Sequence, residues 1–246
     1  MATSLQLTYA EIRENIAMML PVNRDPTNWS GTDITDDVGR ILRSGLRKAY
    51  YPPPLAANQP AHQWSFLRPW GTITTNAPYE TGTITVVNGV VTLSGGTFPS
   101  WAANGWLVYD GQYYEVATRD SNSQVTLTDT SSDNDADAGT TYSLIQYRVD
   151  LPDEFESLDG PMFWHPDQSQ ENIPLERHSD TRLRLLYQDS DLSISVDEPR
   201  LFAIHPKVHT ATAIQGWQAI FWPGFADVYH LKYRYNVQMS DLDGTN

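Results

Sequence analysis

Apolar residues near the N-terminus recur every three to four positions. Tyr9, Ile12, Ile16, Met19 and Leu20 fall on one helical face, and Pro21 stops the run. Thr8 and Glu11 form a capping box before them: the hydroxyl accepts an orphan first-turn amide while the carboxylate reaches back to the cap amide. A second helix is expected from Asp33 or Thr35, with Ile34, Val38, Ile41, Leu42, Leu46 and Ala49 as its buried stripe. Arg40, Arg43, Arg47 and Lys48 collect in its C-terminal half, where the helix dipole favours cations, and Pro52 ends it by disfavouring helical geometry at the preceding residue. Gly45 lies inside this helix, tolerable if another backbone packs against that turn.

From Thr72 the period changes to two. Short Thr/Val/Tyr-rich runs are separated by polar clusters, and Asn88-Gly89 and Asp110-Gly111 are the dipeptides that type I′ hairpins require, since both central residues take positive φ. Residues 81–143 therefore read as an inserted antiparallel β-module, with Arg119 as its one basic residue. After Pro152 the texture is mixed. Ser179–Gln188 fits a third helix with Leu183, Leu186 and Tyr187 inward, and "PRLFAIHP", "GWQAIFWP" and "DVYHLKYRYNV" read as strands. In the last, Tyr229, Leu231, Tyr233 and Tyr235 alternate with polar residues, which predicts one buried aromatic face.

The chain has 246 residues, 40% of them hydrophobic, enough for one large domain or two smaller ones. The N-terminus lacks the basic start and apolar run of a secretory signal, and no stretch is long and apolar enough for a membrane span, so a soluble protein made in the cytoplasm is expected. Cysteine is absent, which excludes disulfides, thiolate metal sites and cysteine nucleophiles together. The net charge of −14 is uneven: +1 over residues 1–70, −7 over 71–150 and −8 over 151–246. Such a balance argues against affinity for free nucleic acid, which needs a surplus of cations on the contact face.

Candidate chemistry is sparse. The six histidines are dispersed, and His205 and His209 bracket Pro206, so they are not a helical metal pair. Asp133–Gly139 alternates carboxylates as a calcium loop would, but its glycine falls one residue late and Leu144 stands where a ligating Glu belongs, leaving an acidic hairpin tip. No nucleophile elbow, P-loop or dinucleotide fingerprint occurs. The pairs Asp153/Glu154 and Asp197/Glu198 have no apolar surroundings to separate their pKa values. No enzyme and no cofactor are indicated. The 8 Trp and 13 Tyr admit a carbohydrate-binding or receptor-recognition module in which Trp106, Tyr113 or Tyr114 stack on sugars; the competing reading makes them core residues of strands.

The run "LTYAEIRENIAMML", the Trp29 loop, "DITDDVGRILRSGLRKAYYPPP" and "HQWSFLRP", with the later "PRLFAIHP" and "YHLKYRYNV", together resemble the head-to-tail adaptor (connector) proteins of tailed bacteriophages. The resemblance implies an α+β fold: an N-terminal helical pair packed on a small antiparallel sheet, with residues 1–80 and 144–246 as adaptor core around the inserted all-β module. In it Tyr50, Tyr51, Trp64, Phe66 and Trp70 would wedge helices against sheet. It further implies a structural virion protein at the neck, forming a homo-oligomeric ring, usually a dodecamer, between portal and tail or stopper. DNA would pass through its lumen without specific binding, past an acidic wall that repels phosphate. Arg40, Arg43 and Arg47, and Met239 and Leu242 in the tail, are then the partner-interface candidates.

Overall fold

A computed structural model describes residues 9–19, 32–54, 60–165, 174–188, 196–207 and 216–238. The chain divides into two compact units: Met1–Leu67 with Gln238–Asn246, and Arg68–Val237.

In the first unit, α1 (Tyr9–Met19) lies against α2 (Thr32–Tyr50). Leu42 is buried and Leu46 half-buried, as the apolar stripe of α2 requires. Ile41 and Ala49 depart from the expectation: Ile41 is 45% exposed, because one residue before Leu42 it is rotated about 100° off the face that buries Leu42, and Ala49, in the last turn, is exposed as well. The capping pair's Thr8 and the stop at Pro21 lie outside the described residues.

The second unit is built almost wholly from strands. In chain order they are β1 (Trp70–Thr74), β2 (Thr83–Val87), β3 (Val90–Ser94), β4 (Gly105–Tyr109), β5 (Gln112–Arg119), β6 (Gln124–Leu127), β7 (Ala136–Thr140) and β8 (Ser143–Gln146). Then come β9 (Arg148–Asp150), β10 (Phe155–Leu158), β11 (Phe163–Trp164), β12 (Glu176–Arg177), α3 (Asp180–Gln188) and β13 (Val196–Asp197). The last are β14 (Leu201–Pro206), β15 (Trp217–Trp222), β16 (Gly224–Phe225) and β17 (His230–Val237).

Strands β2 to β8 form one seven-stranded sheet in the order β7-β2-β3-β6-β5-β4-β8. Its hairpin turns follow the local chemistry: Asn88 and Gly89 have φ of 49° and 75°, and Asp110 and Gly111 51° and 72°, the double positive φ of a type I′ turn. Bulges between Ile84 and Val86 against β7, and between Val116 and Thr118 against β6, increase the local twist and let inward side chains meet. The enclosed core contains Ile84, Val91, Phe98, Leu107, Val116, Val125 and Leu144. Asp133–Gly139 is not the expected hairpin tip: Ala136 begins β7, which pairs with β2 at the sheet's edge.

The remaining strands surround a second core. β17 pairs with β1, β10 and β11, and β15 lies between β14 and β9. Leu231, Tyr233 and Tyr235 are buried as the alternation of β17 predicted, with Phe155, Trp164, Phe202 and Phe221 packed beside them. Helix α3 buries Leu183 over β14 and β15.

The expected α+β architecture is therefore corrected. The fold is mostly β, dominated by the seven-stranded sheet, and helices are its minor component among the described residues. The physical reason is that strands readable one by one are joined across the chain, β1 with β17 and β9 with β15, so the extent of sheet they build leaves no local pattern; the two-residue strands β11, β12, β13 and β16 add to it without showing a period.

Candidate functional site

The C-terminal half of α2 carries the feature that most distinguishes this surface. Arg40, Arg43, Ser44, Arg47, Lys48 and Tyr51 line a shallow open groove, and all six are exposed. At 100° per residue the four cations occupy an arc of about 140° opposite Leu42. No Asp or Glu occurs between Asp37 and Glu80, a span that holds five Lys/Arg, so this part of a chain of net charge −14 is locally cationic. A Cβ placed on Gly45 would meet nothing, so the expected close approach of another backbone there is absent from the described residues.

The end of α2 explains the aromatic run that follows. The last four carbonyls of a helix have no intrahelical donor, and the Trp64 indole Nε1 donates to the Ala49 carbonyl at 2.7 Å. Trp64 thus sits on the last turn of α2. Phe66 stacks on Trp64 with centroids 5.8 Å apart and meets Tyr50 edge-on at 6.0 Å, while His62 lies edge-on to Trp64 at 4.5 Å. These rings stay wet: Trp64 is 39% and Phe66 58% exposed, and Tyr51 is exposed too. Trp70 stands in the other unit on β1, also exposed, with Lys232 Nζ 5.0 Å from its ring centre. The five proposed wedge residues are therefore divided, Tyr50, Tyr51, Trp64 and Phe66 in the helical unit and Trp70 in the β unit. Of the partner-interface candidates, Arg40, Arg43 and Arg47 are brought together; Met239 and Leu242 lie outside the described residues.

Two of the three rings offered for sugar stacking, Trp106 and Tyr114, are engaged elsewhere. Trp106 stacks on Tyr187 at 5.9 Å and meets Tyr147 at 5.5 Å, and Tyr114 stacks on Tyr109 at 4.4 Å. Tyr187 in turn donates to the Phe221 carbonyl and meets Trp222 edge-on, so this cluster joins the seven-stranded sheet to α3 and β15. Below it Glu115 accepts from Tyr147 Oη at 2.9 Å and from Arg148 Nη1 at 3.1 Å. Burial pushes the Tyr147 phenol well above its ordinary pKa, so it stays a donor.

Two further polar groupings escaped the sequence. Arg68 grips Asp159 through Nε at 2.7 Å and Nη2 at 2.6 Å, and Arg234 Nε, 3.3 Å from the same carboxylate, donates to the Arg68 carbonyl. The hydrogen bonds from Arg68 hold the Asp159 carboxyl below its usual range. On α3, Asp180 accepts from Arg184 Nε at 3.0 Å and lies 3.1 Å from His205 Nδ1. Sequence separations of 91 and 25 residues hid both from any local reading. Among the described residues no group of three or more His, Asp and Glu is placed to hold a metal ion, and no helix is long and apolar enough to cross a membrane.

Comparison of the chain with family models, curated proteins and solved structures returned no match.

Proposed function

We propose that the protein is a structural head-to-tail adaptor of a tailed-phage virion, a subunit that self-associates into a ring of about twelve and joins the portal to a tail or stopper protein. It is made in the host cytoplasm, resides at the neck and carries no catalytic chemistry; DNA passes its lumen without specific binding. The observation that carries this reading is the surface of the helical unit. Only Leu42 and Leu67 are buried among its described apolar side chains, while Met18, Ile41, Tyr51, Trp64 and Phe66 are exposed, Tyr51 within the cationic groove itself. Large apolar groups grouped this way favour coverage by another protein surface. The excess of carboxylates elsewhere supports a wall that repels phosphate.

Mass photometry and negative-stain microscopy of the recombinant chain, alone and with its portal, test the reading. Rings, alone or on the portal, are the expected result. A monomer indifferent to the portal would overturn it.

A further inference from the structure

Resting on that self-association, we infer that the cationic stripe of α2 takes the acidic edge of the seven-stranded sheet of a second copy, so that successive subunits meet head to tail. The stripe presents Arg43, Arg47 and Lys48, all exposed and with no acid between them in the sequence, and Arg40 lies one turn before them. Its complement lies in the same chain. Residues 81–143 hold seven carboxylates against the single cation Arg119, and Arg119 is taken up by the Phe98 carbonyl and Asn122 Oδ1. No cation of the module remains to neutralise the acids.

Four of them, Asp129, Asp133, Asp135 and Asp137, cluster along the approach to β7 and are exposed. Asp135 is partly committed, accepting from the Asn88 amide at 2.6 Å. Asp133 and Asp137 are the strongest anchors. Strand β7 is the outer strand of the sheet, and four of its residues span two of β2, so Asp137 sits where the ladder bulges. An edge strand invites pairing with a further strand, and natural proteins prevent this with charge or cover it with a helix. Here the same carboxylates do both: they repel another strand and attract a cationic helix. Arg43 and Arg47 are one turn apart on the helix, about 6 Å between Cβ atoms, so both face the acidic edge at once. Because stripe and edge are different patches, the contact is heterologous, the kind that closes into rings.

The test is sedimentation velocity of the full chain in about 0.1 M salt, where a screening length of about 10 Å mutes the repulsion of distant acids but not of facing ones. Arg43→Glu with Arg47→Glu, and separately Asp133→Lys with Asp137→Lys, are each expected to weaken association at least about tenfold. An equimolar mixture of the two variants should recover it, since each supplies the surface complementary to the other. If one reversed pair fails to fold by circular dichroism, Asp133→Asn with Asp137→Asn, or Arg43→Gln with Arg47→Gln, replaces it, and a smaller loss in the same direction is expected. Assembly unaffected by either pair overturns the contact and leaves the ring standing. Folded variants that both dissociate but do not recover on mixing overturn it as well. Loss of DNA-duplex retention in Arg43→Glu with Arg47→Glu, at unchanged assembly, would make the stripe a polyanion site instead. A wild-type chain that stays monomeric, with and without portal, removes the ring reading and the contact together.

Discussion

In the β unit Phe98, Phe155, Phe202, Phe221 and Phe225 are closed off from water, whereas in the helical unit Trp64, Phe66 and Tyr51 stand exposed around the end of a helix. Both regions are rich in aromatic residues, but only one has enough layers to enclose them. Two sheets, with α3 packed on one, supply neighbours around Phe202; the end of one helix and the Trp64 ring cannot do so for Phe66. An aromatic cluster is therefore a core in one place and a contact surface in the other, and the difference is how many elements converge on it.

Truncating one ring in each region separates a core from a contact surface. Phe202→Ala should cost about 3–5 kcal/mol in a denaturant melt, the usual loss when a buried ring leaves a cavity. Next in size, Glu115→Ala should cost about 1–3 kcal/mol, because Arg148 and Tyr147 then lose their shared acceptor beneath the aromatic junction; a melt unchanged by the substitution would deny that junction a structural role.

A third, smaller effect concerns alkaline pH. Burial, with Tyr235 and Glu154 nearby, pushes the Tyr233 phenol from 10.0 up to about 12, and burial with a hydrogen bond to Glu154 does the same for Tyr235. A folded pKa above the unfolded one means that the neutral phenols stabilise the fold fully below pH 10, and that this contribution is lost as pH rises from 10 toward 12. Stability measured across that window should fall, and Tyr235→Phe should make the fall shallower. Smallest of all, Phe66→Ala should shift the melt by no more than about 0.5 kcal/mol while weakening self-association. A large shift would mean that Phe66 belongs to a core after all.

Much of the local structure was legible along the chain. Asn88-Gly89 and Asp110-Gly111 announced their turns because a positive φ at two consecutive residues leaves few other choices. The eight residues of β17 displayed their alternation because they are long enough to do so. The architecture was not legible, since two-residue strands have no period and the partner of β17 at β1 lies some 160 residues away, as in the pairing of Trp70 with Arg234. At the candidate surface the cations were visible from composition alone. The Trp64 hydrogen bond that caps α2 was hidden, because a side chain fifteen residues downstream leaves no mark on the helix it completes.

The grip of Arg68 on Asp159 has a mechanical meaning. The β unit begins at Arg68 and ends at Val237, and β1 and β17 run antiparallel with Trp70 opposite Arg234, so both chain ends leave from the same corner. Tension drawn through the two connecting segments would peel these strands apart pair by pair instead of shearing them all at once. At the β1 end the first side-chain bonds to bear the load are those of Arg68 to Asp159, and at the β17 end the pairing of Val237 with Phe155 bears it first, so β10 and its following carboxylate rivet both strands against unzipping.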